Sequence, residues 1–123
     1  MAMKFFLITD DSSAVRKIAR RLLQGMNFEV DEAEDGLIAL EKCGRRMPDA
    51  ILLDWNMPNM NGIDFLRALR RMEGGCAPKV ILCTTMSEVN YITEAIEAGA
   101  NEYLIKPFDA ASLREKLGEL VTA

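Results

Sequence analysis

The sequence predicts an α/β fold, a doubly wound sheet of five parallel strands in the order 2-1-3-4-5. Three observations predict it. Short apolar runs alternate five times with segments of helical spacing, the β-then-α rhythm that builds a parallel sheet with helices on both faces. Runs such as Ile51-Leu52-Leu53 and Val80-Ile81-Leu82 are apolar without a break, as strands buried on both sides are. The 123 residues make one domain at about 100–200 residues per domain, so residues 1–123 are read as a single unit. Right-handed crossovers between successive strands favour the doubly wound order.

The elements follow in chain order. Phe5–Thr9 is the first predicted strand, and Ser12 caps a helix whose inner face is read as Val15, Ile18, Leu22 and Met26. The second strand is Phe28–Glu32. Asp35 caps the next helix, with Leu37, Leu40 and Cys43 inward, and Pro48 stops it before the third strand, Ala50–Asp54. Asn61 caps the third helix, with Ile63, Leu66, Leu69 and Met72 inward. Pro78 precedes the fourth strand, Val80–Thr84. Ser87 caps the fourth helix, with Val89, Ile92 and Ile96 inward, and Gly99 ends it as a left-handed residue. The fifth strand is Tyr103–Ile105, and Asp109 caps a last helix carrying Leu113, Leu117, Leu120 and Val121.

Composition excludes several function classes. There is no histidine, which removes Ser/His and Cys/His nucleophile pairs, histidine general bases and histidine-containing zinc sites. The net charge of −4 offers no electrostatic footprint for nucleic acid. No apolar run is long enough to span a membrane, and the apolar stretch Phe5-Phe6-Leu7-Ile8 is too short for a signal peptide core. The three cysteines are odd in number and match no metal spacing. Cys43 and Cys83 are expected in the core, and Cys76 in an exposed loop after Gly74-Gly75. Free thiols without a secretion signal predict a cytoplasmic setting.

Ligands of doubly wound sheets bind beyond the carboxyl ends of the strands. Those ends carry Thr9-Asp10-Asp11, Asp54, Thr84-Thr85 and Lys106-Pro107. Each pair alone is ordinary turn, cap or surface chemistry. Placed at the ends of four strands, they bring three carboxylates, a hydroxyl and an ammonium to one rim. Three close carboxylates repel, so a proton or a cation must join them. Mg²⁺ is suited, since it takes oxygen ligands from one or two carboxylates and keeps several waters. Three carboxylates, one Mg²⁺ and one lysine carry no net formal charge. Such a site can stabilise an incoming phosphoryl group. Asp54, which ends the central strand before the loop Trp55-Asn56-Met57-Pro58, is the best-placed nucleophile for an aspartyl phosphate.

Asp10-Asp11, Asp54 with Met57-Pro58 and Gly62, Thr84, and Lys106-Pro107-Phe108 together resemble the receiver domain of two-component response regulators, over essentially the whole chain. The segment Asp54–Gly62 is most similar to the single-domain, chemotaxis-type (CheY-like) members. The resemblance implies the following roles. Asp54 is the phosphoacceptor. Asp11 is a direct Mg²⁺ ligand, Asp10 acts largely through water, and the backbone carbonyl of Asn56 is a further ligand. Thr84 is the switch hydroxyl and Lys106 pairs with the phosphoryl group. Pro107 follows a cis peptide, and Tyr103 is the aromatic that turns inward on activation. Met86 departs from the family, which often carries a glutamate there, and so bears on how water reaches the phosphoryl group.

The resemblance further implies a non-enzymatic switch that takes its phosphoryl group from a histidine kinase and changes the surface made by the fourth helix, fifth strand and fifth helix. Expected partners are the kinase, a target protein such as a flagellar motor switch component, and a phosphatase, with the protein itself a monomer. Because the fifth helix ends close to Ala123, output is expected to run through protein contact. Asn90, Tyr91 and Glu94 are placed outward, with Tyr91 near Tyr103 as a partner's anchor. The charges Arg16, Lys17, Arg20 and Arg21, and Arg67, Arg70 and Arg71, read as solvated helix faces or a docking surface for the kinase. Three other readings compete. A phosphate shuttle or sink between histidine proteins uses the same chemistry. An aspartate-nucleophile phosphatase would want an acid two residues after Asp54, where Asn56 stands. A flavin-binding protein of the same topology would be repelled by Asp10-Asp11.

Overall fold

The computed structural model describes residues 4–85 and 90–121. The elements run β1 (Phe5–Thr9), α1 (Ser13–Gly25), β2 (Glu29–Ala33), α2 (Gly36–Arg45), β3 (Ala50–Asp54), α3 (Gly62–Arg71), β4 (Lys79–Thr84), α4 (Ile92–Ala98), β5 (Glu102–Ile105) and α5 (Ala110–Val121). All strand pairs are parallel, and the sheet order is β2-β1-β3-β4-β5. This is the doubly wound α/β fold expected from the alternation of apolar runs and helical segments.

Local chemistry sets the boundaries. Ser12 Oγ accepts the Val15 amide at 3.2 Å, Asp35 Oδ1 that of Ile38 at 2.8 Å, Asn61 Oδ1 that of Asp64 at 2.9 Å and Asp109 Oδ1 that of Ser112 at 2.8 Å. Each satisfies an amide that the first helical turn leaves without a partner. Gly99 ends α4 at φ 119°, in the left-handed region. β2 begins and ends one residue later than the sequence suggested. The amide of Phe28 still closes α1 by donating to Leu23 O, so the ladder starts at Glu29 opposite Phe5. The expectations placed on Ser87, Val89 and Met86 lie outside the described residues.

The core has two halves, one on each face of the sheet. Phe6, Ile8, Leu52 and Ile81 pack with Ala19 and Leu23 of α1 and Leu113 and Leu117 of α5. Leu7, Ile51, Leu53 and Leu82 pack with Ala39 and Cys43 of α2, Phe65, Leu66 and Leu69 of α3, and Ala95 of α4. Cys83 is also buried, and Cys76 is exposed.

Three helix faces differ from expectation in the same way. Ile18, Leu37 and Ile96 are 58%, 51% and 53% exposed. The residues buried instead are Ala19 in α1, Ala39 in α2 and Ala95 in α4, each fully. Ala19 and Ala95 adjoin Ile18 and Ile96, and Ala39 stands two residues after Leu37; at about 100° per residue, counting only large side chains misplaces these positions on the stripe. A small residue at the contact lets the helix axis approach the sheet, and the larger neighbour is carried outward.

Candidate functional site

Strand pairing assembles the site. Thr9 is level with Leu53, Asp54 with Cys83, and Thr84 with Ile105. The residues at or just past these ends are Asp10, Asp11, Asp54, Thr84 and Lys106, from β1, β3, β4 and β5. Behind Asp54 the chain turns sharply into α3. A Cβ on Gly62 would lie 2.4 Å from the Asp54 carbonyl oxygen and 3.1 Å from Trp55 Cα, so only glycine fits there. The Gly62 amide donates to Trp55 O at 2.9 Å, which fixes the loop backbone beside the site.

Lys106 joins the strand ends. Its Nζ lies 2.8 Å from Asp10 Oδ2 and 2.8 Å from Asp54 Oδ1. The peptide bond between Lys106 and Pro107 is cis, as the resemblance implied. The Lys106 amide donates to Thr84 O at 2.7 Å, tying the β5–α5 turn to the end of β4. Asp10 is buried and doubly held, since its Oδ1 accepts the Ser12 amide at 2.9 Å. Arg16 Nη1 donates to the Asp10 carbonyl at 2.7 Å and its Nε to Glu32. That support for β1 is absent from the sequence reading, although one and a half helical turns after Asp10 is where a long side chain can reach back. Arg20 also pairs with Glu32, so α1 presents Lys17 and Arg21, rather than all four cations, to solvent.

Oxygens of Asp10, Asp11 and Asp54, one from each, lie within 4.8 Å of one another. Burial pushes the Asp54 carboxyl up to about 6, and the charges of Asp10 and Asp11 add to the rise, against the Lys106 hydrogen bond. Burial works to lower the Lys106 pKa. Its hydrogen bonds to Asp10 and Asp54 outweigh that effect and raise it. One ammonium therefore serves three carboxylates, leaving an excess of negative charge in a partly buried pocket. Mg²⁺ holds oxygens at about 2.1 Å, so opposite ligands stand about 4.2 Å apart. The donor set and its spacing fit such an ion.

The remaining expected residues surround this centre. Thr84 is buried, and its hydroxyl lies 3.3 Å from Thr85 O. Asn56 is exposed on the loop after Asp54. Tyr103 is half-buried, with Lys116 Nζ 5.1 Å from its ring centroid. Tyr91 is exposed, as expected, but its neighbour is Trp55: the rings stack at 5.0 Å with 19° between planes. Thr9, just before Asp10, carries a buried hydroxyl with no hydrogen-bond partner among the described residues. Strand periodicity alone could not separate it from a β-branched core residue.

The family model for the response regulator receiver domain matches residues 6–118. The chain belongs to that family. It is 42% identical over 115 residues to the chemotaxis protein CheY-3 of Vibrio cholerae, covering 93% of this chain and 88% of that one. The structure of the chemotaxis protein CheY4 of the same species matches with a TM-score of 0.91 at 32% identity, covering 98% of this chain and 100% of that one. These likenesses make the chain a CheY-like receiver. The receiver domain of the sensor histidine kinase PA1611 from Pseudomonas aeruginosa, solved with a magnesium ion in its active site cleft, matches with a TM-score of 0.90 at 27% identity, over 99% of this chain and 100% of that one. Among the described residues, no helix is long and apolar enough to cross a membrane.

Proposed function

We propose that this receiver accepts a phosphoryl group on Asp54 from the phosphohistidine of a partner kinase and that the change is passed to a target protein in the control of chemotaxis. The observation that carries the reading is Lys106 Nζ bridging Asp10 and Asp54 at 2.8 Å within a cluster of three carboxylates. Residues 1–123 act as one receiver unit. Asp10, Asp11, Asp54 and the backbone carbonyl of Asn56 are the groups that would hold Mg²⁺. When bound, the ion supplies positive charge against the phosphoryl oxygens.

The chain's own residues do the rest. Lys106 holds Asp54 Oδ1 and leaves Oδ2 to attack phosphorus in line. The O–P bond forms as the donor's P–N bond breaks and the imidazole leaves. Lys106 then neutralises an oxygen of the transferred group. Thr84, at the end of the neighbouring strand, offers its hydroxyl to another oxygen. The space Thr84 leaves admits Tyr103, and the surface of α4, β5 and α5 changes as a two-state shift. Tyr91, just before α4, and Ile96, on it, are 48% and 53% exposed and favour output by protein contact over a pure phosphate sink. The chemotaxis proteins among the relatives support a motility target such as a flagellar switch component.

Trp55 adjoins Asp54 and is the sole tryptophan, so its fluorescence is the test. Mg²⁺ followed by beryllofluoride should change its emission, and Asp54→Asn should abolish the beryllofluoride step. An unaltered beryllofluoride step in Asp54→Asn overturns the assignment. Pull-downs with and without beryllofluoride separate output from shuttling. Capture of kinases and phosphotransferases alone would favour the shuttle.

A further inference from the structure

The loop after Asp54 is tied on two sides. Towards α2, Asn59 Nδ2 donates to Asp35 Oδ2 at 2.7 Å and the Gly36 amide to Met60 O at 3.2 Å. Towards α4, the tie is the stack of Trp55 on Tyr91. Tyr91 is the residue before α4, makes no side-chain capping bond, and is 48% exposed. Its placement is therefore not explained by the helix start. The Trp55 backbone is held, because its carbonyl accepts the Gly62 amide, and Gly62 passes so close to residues 54 and 55 that a side chain there would not fit.

The far end of α4 is pinned. Gly99 O accepts Arg70 Nε at 3.2 Å and Nη2 at 2.6 Å, and Asn101 Oδ1 accepts Arg70 Nη2 at 3.0 Å and the Val80 amide at 2.8 Å. Midway, Arg67 and Glu94 form an exposed pair at 3.3 Å, a weak restraint. A seven-residue helix is a rod about 10 Å long. Held at Gly99, it moves most at its first turn, where Tyr91 meets the phosphoacceptor loop.

We propose that Tyr91 is a positioning residue for the phosphoacceptor site: stacked on Trp55, it holds the Asp54–Asn56 segment in register with Asp10, Asp11 and Lys106 and couples that register to the start of α4. The inference rests on the receiver reading, and it names α4 position as a regulator of that same site. Coupling is reciprocal. Whatever displaces Tyr91 loosens the ligand set, and whatever occupies the ligand set holds Tyr91.

A double-mutant cycle tests it. Mg²⁺ affinity is measured by calorimetry for wild type, Trp55→Ala, Tyr91→Ala, the double variant and Tyr91→Phe, with folding checked by circular dichroism. Each alanine variant should bind Mg²⁺ more weakly, by about two- to tenfold, the range an aromatic pair supports. The double variant should lose no more than the weaker-binding single variant, and Tyr91→Phe should match wild type. In metal-free protein, Tyr91→Ala should also leave Trp55 more open to acrylamide quenching. Additive losses, or a Tyr91→Ala protein that binds Mg²⁺ like wild type, overturn the proposal while the receiver reading stands. A wild-type protein that binds no Mg²⁺ removes both.

Discussion

Lys106 and Arg70 are both partly buried cations, and they are held in opposite ways. Lys106 meets carboxylates from two strands, in a pocket with more negative charge than it can neutralise. Arg70 meets no carboxylate among its described hydrogen-bond partners. Its donors go to the carbonyls of Gly75, Pro78 and Gly99 and to the Asn101 side chain. Burial pushes the Arg70 pKa down, whereas the carboxylates push that of Lys106 up. A cation among neutral dipoles fixes the chain segments that carry those dipoles. A cation among surplus anions leaves room for a ligand of opposite character. The first secures the fold, and the second is the arrangement we propose as the phosphoacceptor site.

The contrast can be broken by experiment. Arg70→Met removes hydrogen bonds from three carbonyls and should cost about 2 to 4 kcal/mol of stability, read by urea unfolding. The variant should still show the Trp55 response to Mg²⁺. A stability change near zero would mean that solvent serves these carbonyls as well as Arg70 does.

Asp54 should show the reverse. Its carboxyl titrates at about 6 in the fold against 3.8 for an ordinary aspartate, so the folded state binds the proton more tightly. Stability then falls as pH rises through that window and stays reduced above it. In metal-free buffer at neutral pH, Asp54→Asn should be more stable than wild type by about 3 kcal/mol. The gain should shrink as pH falls towards 3.8. An equal gain at every pH would assign it to packing instead. Added Mg²⁺ should raise the melting temperature of wild type more than that of Asp54→Asn.

Thr9 gives the smallest effect. Its buried hydroxyl has no hydrogen-bond partner among the described residues, so Thr9→Val, which keeps the shape, should stabilise by about 1 kcal/mol. Thermal unfolding reads it, and a loss would show that the hydroxyl has a use in the folded protein.

Much of this was legible in the sequence because it follows from local rules. The strand runs, the caps at Ser12, Asp35, Asn61 and Asp109, and the charges at the strand ends are each visible within a few residues. α3 was oriented correctly because Ile63, Leu66 and Leu69, all large, mark its buried face. In α1, α2 and α4 one member of each expected stripe, Ile18, Leu37 and Ile96, faces out because an alanine takes the contact, while Cys43 is buried and Leu22, Met26 and Leu40 pack against the core as expected. Arg70 read as a surface charge because its partners are backbone carbonyls, which no residue type announces. The Trp55–Tyr91 stack was hidden for a related reason: Tyr91 read as a lone surface aromatic, and its partner lies 36 residues away on the loop after β3.

The most direct test of the central claim is the site of covalent phosphorylation. The protein is incubated with Mg²⁺ and a small acyl phosphate donor, and the phosphorylated residue is located by mass spectrometry after borohydride trapping. The expected result is one phosphoryl group on Asp54, absent from Asp54→Asn and dependent on Mg²⁺ and Lys106. Modification that persists in Asp54→Asn, or that falls on another residue in the wild-type protein, would contradict the account.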